Sequence, residues 1–429
     1  MARLSDYNID NKGLTLVTKE LQKLIDENDE LILSEGLYLT GPLFLHANFK
    51  LIFDNAILIA TIDEANYNEI DTRVAGIEMK WYPAIINVID CNNVTIKGKG
   101  IIDGNGPYWY NKYWGNDTLG GMREEYDKKN IRFLCDYDCK RPRNVLIQNS
   151  YNIELSNFTS KDSGFWNIHI LYSHDVHVNK VCIDSGIPNS PSTDGIDVDS
   201  SYDCLIENVI SSTNDDSICI KSGRDYDGLR VNRPCHDITI KNSKILKGFG
   251  ITLGSELSGG IYNINISNIE YINTDCAFRI KSSEQRKGYI KNINVNNLKC
   301  LNVKYIFNIN LSWNPNYNKL VLPDNLDHYE DYYDVIIKDV DNNISNTTID
   351  DININNVYSR NDKNYNGISR LFHIVGFDNP KINNIYINNL DVKCNEYGLI
   401  KNINNLDIKN SNIITNIEID NNNNEYDNR

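Results

Sequence analysis

Short runs of alternating apolar and polar residues recur along the chain at residues 165–170, 195–199, 217–221, 250–254, 277–281 and 305–309. Alternation is the period of a strand with one buried face. Ile168, Ile196, Ile218, Ile251, Phe278 and Ile306 align across these runs, at spacings of 28, 22, 33, 27 and 28 residues. A second series lies between them, at residues 144–148, 236–241, 262–266 and 383–387. Several strands per repeat, no helix between them and Asn- or Gly-rich turns predict an all-β fold, a right-handed parallel β-helix. Asn suits such turns because it tolerates the left-handed region. The Asn run at 421–424 reads as compositional bias in a frayed tail, about 420–429.

An open end of such a solenoid exposes core and sheet edge, so it needs a cap. Val17, Leu21, Leu24 and Ile25 follow helical spacing within residues 16–27, predicting a short amphipathic helix in a cap region of about 1–30. The whole chain, 1–429, reads as one β-helix domain. Two long insertions interrupt the repeat. One runs from 106 to 141 and carries Tyr108, Trp109, Tyr110, Tyr113 and Trp114. The other runs from about 312 to 345 and carries Trp313, Tyr317, Tyr329, Tyr332 and Tyr333. Long loops of this kind are often functional, and their rings would wall a binding groove or pack the loops onto the helix.

Composition narrows the function. The chain has 429 residues, is 41% hydrophobic and carries a formal charge of −15. That charge argues against nucleic acid as a partner. A polyanionic substrate would need a local basic patch. No long apolar run predicts a membrane span or a signal segment. Together with ten scattered cysteines, this suggests a cytoplasmic protein; the alternative is a secreted one whose signal has been removed. Cys135 and Cys139 form the only close pair, and no further ligands for a zinc site are evident. Neither a metal nor a cofactor is expected.

The chemistry concentrates in two acidic clusters. One contains Asp194, Asp197 and Asp199, the other Asp215 and Asp216, and Asp194 and Asp216 are 22 residues apart. If the aligned aliphatic residues point inward, Asp197, Cys219, Thr252 and Arg279 form one outward column. Asp199, Lys221, Gly254 and Lys281 form the next. Asp194, Asp215 and Asp216 then stand at the turn bordering this sheet, with Lys221, Arg279 and Lys281 close by. Stacked coils rise about 4.8 Å each, so acids on adjacent coils can reach the separation that glycoside hydrolysis needs. Close like charges raise one pKa of a cluster, which makes the Asp215/Asp216 region the expected proton source. Clustered aspartates could instead bind calcium or form turns; Asp103, Asp162, Asp184 and Asp237 read as turn residues.

These blocks resemble a known family. Ser192-Thr193-Asp194-Gly195-Ile196-Asp197 is similar to the Asn-Thr-Asp-Gly-Ile-Asp block of the polygalacturonase-like glycosidases, glycoside hydrolase family 28. Asp215-Asp216-Ser217-Ile218-Cys219-Ile220-Lys221 resembles their Asp-Asp-Cys-Ile-Ala-Ile-Lys block, and Arg279-Ile280-Lys281 their Arg-Ile-Lys. The blocks Gly254-Ser255-Glu256, Phe165-Trp166-Asn167-Ile168-His169 and Ile102-Asp103-Gly104-Asn105-Gly106 are also similar, as is the segment Gly36-Leu37-Tyr38-Leu39-Thr40-Gly41-Pro42.

The resemblance implies Asp215 as general acid and Asp194 with Asp216 as the pair that activates water, with inversion at the anomeric carbon. It implies Arg279 and Lys281 as a clamp on a uronate carboxylate. The block containing Glu256 is more like the bacterial exo-acting branch, and the expected partner is a pectic oligosaccharide. Lys221, His169, Asp197 and Glu256 complete the expected substrate-binding set, with His169 on the groove wall. Three positions differ from the family pattern: Ser192, Asn214 and Phe249, the last in place of a His. The alternatives are a rhamnogalacturonide or unsaturated galacturonyl hydrolase, a β-helical polysaccharide lyase, or a carbohydrate-binding relative whose turnover is weakened by Phe249.

Overall fold

The computed structural model describes residues 1–116 and 119–417. It is a right-handed parallel β-helix, in which 29 strands form one continuous hydrogen-bonded wall. The predicted tail lies outside the described residues.

The coils stack three sheets. The first, called the site sheet below, contains Leu43–Leu45, Ile86–Ile89, Val145–Gln148, Ile168–Leu171, Ile196–Asp199, Ile218–Lys221, Ile251–Leu253, Cys276–Lys281, Tyr305–Asn310 and Arg370–Val375. Its inward column is Val145, Ile168, Ile196, Ile218, Ile251, Phe278, Phe307 and Phe372, all fully buried. Each such side chain contributes roughly 1.5–3 kcal/mol of burial, within one core shared with the inward residues of the other two sheets.

Two sequence assignments shift. Phe278 pairs with Phe307, not Ile306. Tyr305-Ile306-Phe307 is apolar throughout and all three side chains are buried, so alternation alone cannot choose the inward one. Residues 145–148 belong to the site sheet rather than to the intervening series, because Val145 pairs with Ile168.

The second and third sheets fuse in the later coils into single bent strands, Cys235–Lys247, Ile261–Ile272, Tyr289–Leu301 and Thr348–Arg360. An Asn in the left-handed region makes each bend: Asn242, Asn268, Asn297 and Asn356, at φ 53–58°. These side chains also bond from coil to coil, as from Asn268 to Asn242 at 2.9 Å and from Asn297 to Asn268 at 2.6 Å. Asp162 and Asp237, read as turn residues, adopt the same left-handed conformation.

The predicted cap is a helix over Thr18–Asp26, with Leu21, Leu24 and Ile25 buried. The first insertion is not a loop but three helices, Gly106–Trp114, Met122–Lys128 and Arg132–Asp138; the second contains Asp331–Ile336. An unforeseen antiparallel hairpin, Ile70–Val74 with Ile77–Trp81, packs against them. Ala75 and Gly76 make its turn, both at positive φ, as a tight hairpin requires. Gly76 also lies so close to Arg224 that a Cβ would meet its backbone nitrogen at 2.7 Å. Among the described residues, no helix is long and apolar enough to cross a membrane.

Candidate active site

The site lies on the outward face of the site sheet, where register builds the columns predicted from alternation. Asp197, Cys219, Thr252 and Arg279 are successive partners, and Asp199 pairs with Lys221. Asp194, Asp215 and Asp216 stand at the turns that enter these strands. The backbone locks those turns together: Gly195 N–H donates to the Asp216 carbonyl at 2.9 Å, and Phe249 N–H to the Asp215 carbonyl at 3.0 Å.

The acids do not share one environment. Asp216 is fully buried and surrounded by donors. Lys281 Nζ lies 2.7 Å from its Oδ2, Thr252 Oγ1 donates to Oδ1 at 2.7 Å, and Arg279 lies 3.7 Å away. Burial pushes its pKa up, but Lys281, Arg279 and Lys221 outweigh that and hold the carboxyl below its ordinary range. Asp215 is half-buried, and its Oδ1 accepts the N–H of Asp216. Burial first, then the charges of Asp194 and Asp216, push its pKa up to about 8. Asp194 is buried against Lys221 at 3.2 Å, and burial with the charges of Asp197 and Asp216 drives it well above its ordinary value despite that cation. At neutral pH the cluster therefore carries a negative charge on Asp216 and holds a proton on Asp215. Oxygens of Asp194 and Asp216 and the sulfur of Cys219 come within 4.8 Å of one another. That donor set could in principle hold a metal, but Lys221 and Lys281 already face its carboxylates, which suits a bound water better than a cation.

Lys221 organises the floor. It meets Asp194 and Asp197 at 3.2 Å and Glu256 at 3.5 Å, and sits over the Trp166 ring at 4.1 Å. Asp197 and Glu256, expected to touch substrate, are buried partners of this ammonium. Burial raises Asp197 to about 7. Glu256 also accepts the Tyr317 hydroxyl at 3.4 Å.

The expected groove-wall position of His169 is overturned. Its strand does turn it outward, in register with Asp197, but its side chain is fully covered. Arg143 donates to Nδ1 at 2.6 Å, the Trp166 ring stands edge-on at 4.8 Å, and Nε2 faces Asp199 at 3.5 Å. Burial lowers its pKa to about 4, so it is a neutral imidazole with its proton on Nε2. Asp199 is in turn paired with Arg73 of the hairpin at 2.9 Å and held at about 2; burial opposes that shift, and Arg73 and His169 overcome it.

Arg279 is buried at the edge of the site, its guanidinium 4.4 Å from the centre of the Phe249 ring. Lys281 lies 4.7 Å from the Trp313 ring. From Arg279 a cavity of about 570 Å³ opens along the later coils. The two insertions meet on the other side. Tyr137 of the first and the Tyr317 carbonyl of the second take hydrogen bonds from Arg224, at 2.7 and 2.9 Å, and Asp138 accepts the hydroxyls of Tyr126, Tyr332 and Tyr333.

This site falls within a stretch recognisable in other proteins. Residues 62–321 match the family model for glycosyl hydrolases family 28. The chain belongs to that family. Among curated proteins, it is 28% identical to a probable polygalacturonase of Vitis vinifera over 298 residues, 66% of this chain and 57% of that protein. It is 25% identical to an exo-poly-alpha-D-galacturonosidase of Dickeya chrysanthemi over 315 residues, 65% of this chain and 52% of that protein. The chain thus spans little more than half the length of these curated relatives. Among solved structures, an exopolygalacturonase from Thermotoga maritima superposes with a TM-score of 0.78 at 25% identity, covering 96% of this chain and 92% of that one.

Several supporting residues of this family 28 site escaped the sequence. Thr252 stood in the predicted column without a role, and its hydroxyl proves to be a donor to Asp216. Trp166, beneath Lys221, lies in a block already singled out. Arg73 is 126 residues from Asp199 and nothing in its segment hints at the pairing.

Proposed function

We propose that the protein hydrolyses galacturonate-containing pectic oligosaccharides from a chain end, with inversion. The carrying observation is the contrast between two adjacent aspartates: a half-buried Asp215 that keeps its proton at neutral pH and an Asp216 fixed as a carboxylate. Asp215 delivers its proton to the glycosidic oxygen as the bond from the anomeric carbon to that oxygen breaks. A water gripped between Asp194 and Asp216 attacks the anomeric carbon from the opposite face, and its proton passes to Asp216. Arg279 and Lys281 clamp the substrate's uronate carboxylate, exchanging part of their contact with Asp216 for it. Attack at a chain end is supported by the likeness to the Thermotoga maritima exopolygalacturonase and is compatible with the two insertions being joined through Arg224 beside the site. The ten cysteines are scattered along the chain and mostly buried, which suits work in a reducing compartment.

Digalacturonate and trigalacturonate are the substrates for the test, with released sugar quantified and its first-formed anomer followed by NMR. Monosaccharide of inverted configuration is expected, with kcat about 10²–10⁴-fold lower in Asp215→Asn. Internal cleavage to larger products, a retained anomer, or unchanged release by Asp215→Asn would each overturn part of the reading. An ultraviolet-absorbing unsaturated uronate would make it a lyase.

A further inference from the structure

The outward columns that carry the acids continue past them and change character. Arg279 is followed in register by Asn308, His373 and Leu399, and Lys281 by Asn310, Val375 and Lys401. These side chains line the cavity of about 570 Å³, which the second insertion walls with Trp313 and Asn314. The volume is ample for a pyranose ring. At about 4.8 Å per strand, the first two positions beyond the clamp lie roughly 5 and 10 Å from it, the span of the adjoining sugar and its far edge.

The chemistry there differs from that of the clamp. A carboxylate taken out of water needs a cation or several donors to replace its hydration. The cavity's cations are Arg279, which already faces Asp216, and Lys401, exposed at the far rim. Glu284 and Asp378 line the same cavity and balance them. Between clamp and rim the floor presents two amides, an imidazole and the aliphatic Val375. Amides and imidazole suit sugar hydroxyls, and an aromatic wall with an aliphatic floor suits the C–H faces of a ring. Trp313 is held in place by Lys281 over its ring and by Tyr317 edge-on at 5.5 Å.

We propose that this cavity is a subsite for a neutral sugar, adjoining the uronate held by Arg279 and Lys281, so that the preferred substrate carries a galacturonate next to a hexose or deoxyhexose. Asn308, Asn310 and His373 bind its hydroxyls, and Trp313 covers one face. The proposal rests on the hydrolase reading above and specifies its substrate.

The test compares trigalacturonate with its analogue whose reducing-end residue is carboxyl-reduced to galactose. The neutral-ended substrate is expected to show at least ten-fold higher kcat/KM. Val375→Lys, which adds a cation to the floor, should narrow or reverse that ratio. Calorimetry on Asp215→Asn reads the subsite apart from catalysis, and the neutral-ended ligand should bind about ten-fold more tightly. Equal or reversed affinities, or a ratio that Val375→Lys leaves unchanged, would overturn the subsite. The same ten-fold preference in binding, without hydrolysis by the wild type, would overturn the hydrolase reading and leave the subsite standing.

Discussion

Two outward faces of the same helix follow opposite rules. On the second sheet, like stacks on like. Tyr151, His174, Tyr202, His236, Tyr262 and Tyr289 form a ladder of nearly parallel rings with centroids 4.6–6.3 Å apart, and exposed Asn residues bond from coil to coil. On the site sheet, unlike follows unlike: a carboxylate, a thiol, a hydroxyl and a guanidinium succeed one another in one column, buried beneath the insertions. The first face repeats a contact that tolerates water. The second gathers charges that must satisfy one another away from water, and that arrangement stores the altered protonation states the chemistry uses.

The comparison breaks most visibly at Arg73. Arg73 and Asp199 are both fully covered, and removing one partner of a buried pair leaves a charge without compensation. Arg73→Met should cost about 3–5 kcal/mol in denaturant unfolding. It should also loosen the hairpin over His169, so that kcat falls while the cap helix and aromatic ladder persist. A loss below about 1 kcal/mol would mean that the hairpin is not held by this pair.

The pH dependence sharpens the same contrast. Activity needs Asp215 protonated and Asp216 ionised. The rate should fall as pH rises through about 8, where the cluster loses the Asp215 proton. It should fall again on the acid side below the ordinary carboxylate range, where Asp216 gains one. A profile flat from pH 6 to 10 would remove Asp215 from the role of acid.

Stability should respond too, and Asp197 isolates the effect. Its folded pKa of about 7 exceeds its unfolded value, so the folded state binds the extra proton. The stability linked to that proton is fully present below about pH 4 and is lost as pH rises through about 7. Asp197→Asn removes the titration, and the decline in unfolding free energy over that window should shrink by roughly 3–5 kcal/mol. An unchanged slope would show that Asp197 stays ionised throughout.

The site columns were legible because alternation in a parallel stack is unambiguous when each strand offers one aliphatic face. Ile196, Ile218 and Ile251 left no choice of register, so Asp197, Cys219, Thr252 and Arg279 followed. Where the strand is apolar throughout, as at Tyr305-Ile306-Phe307, the register slipped by one residue. The cover was not legible. His169 is turned outward as alternation requires, but a hairpin almost a hundred residues earlier in the chain decides whether outward means solvent. The insertions gave no clean period, because the rings of the helix Gly106–Trp114 pack on both the hairpin core and the coil. Phe249 could be recognised as an apolar replacement, but its stacking under Arg279 depends on a strand one coil away.

The smallest effect tests the repetitive face. Asn297 is exposed, sits at φ 58° and donates to Asn268. If its backbone conformation is what matters, Asn297→Ala should cost about 1–2 kcal/mol, because a Cβ clashes in the left-handed region unless a short polar side chain compensates locally. Asn297→Gly should cost less than half of that, since glycine takes the same φ without strain and loses only an exposed hydrogen bond. Activity should be unchanged in both variants. If alanine and glycine cost the same, the amide ladder rather than the bend holds this face together, and the second sheet would depend on side-chain partners as fully as the site sheet does.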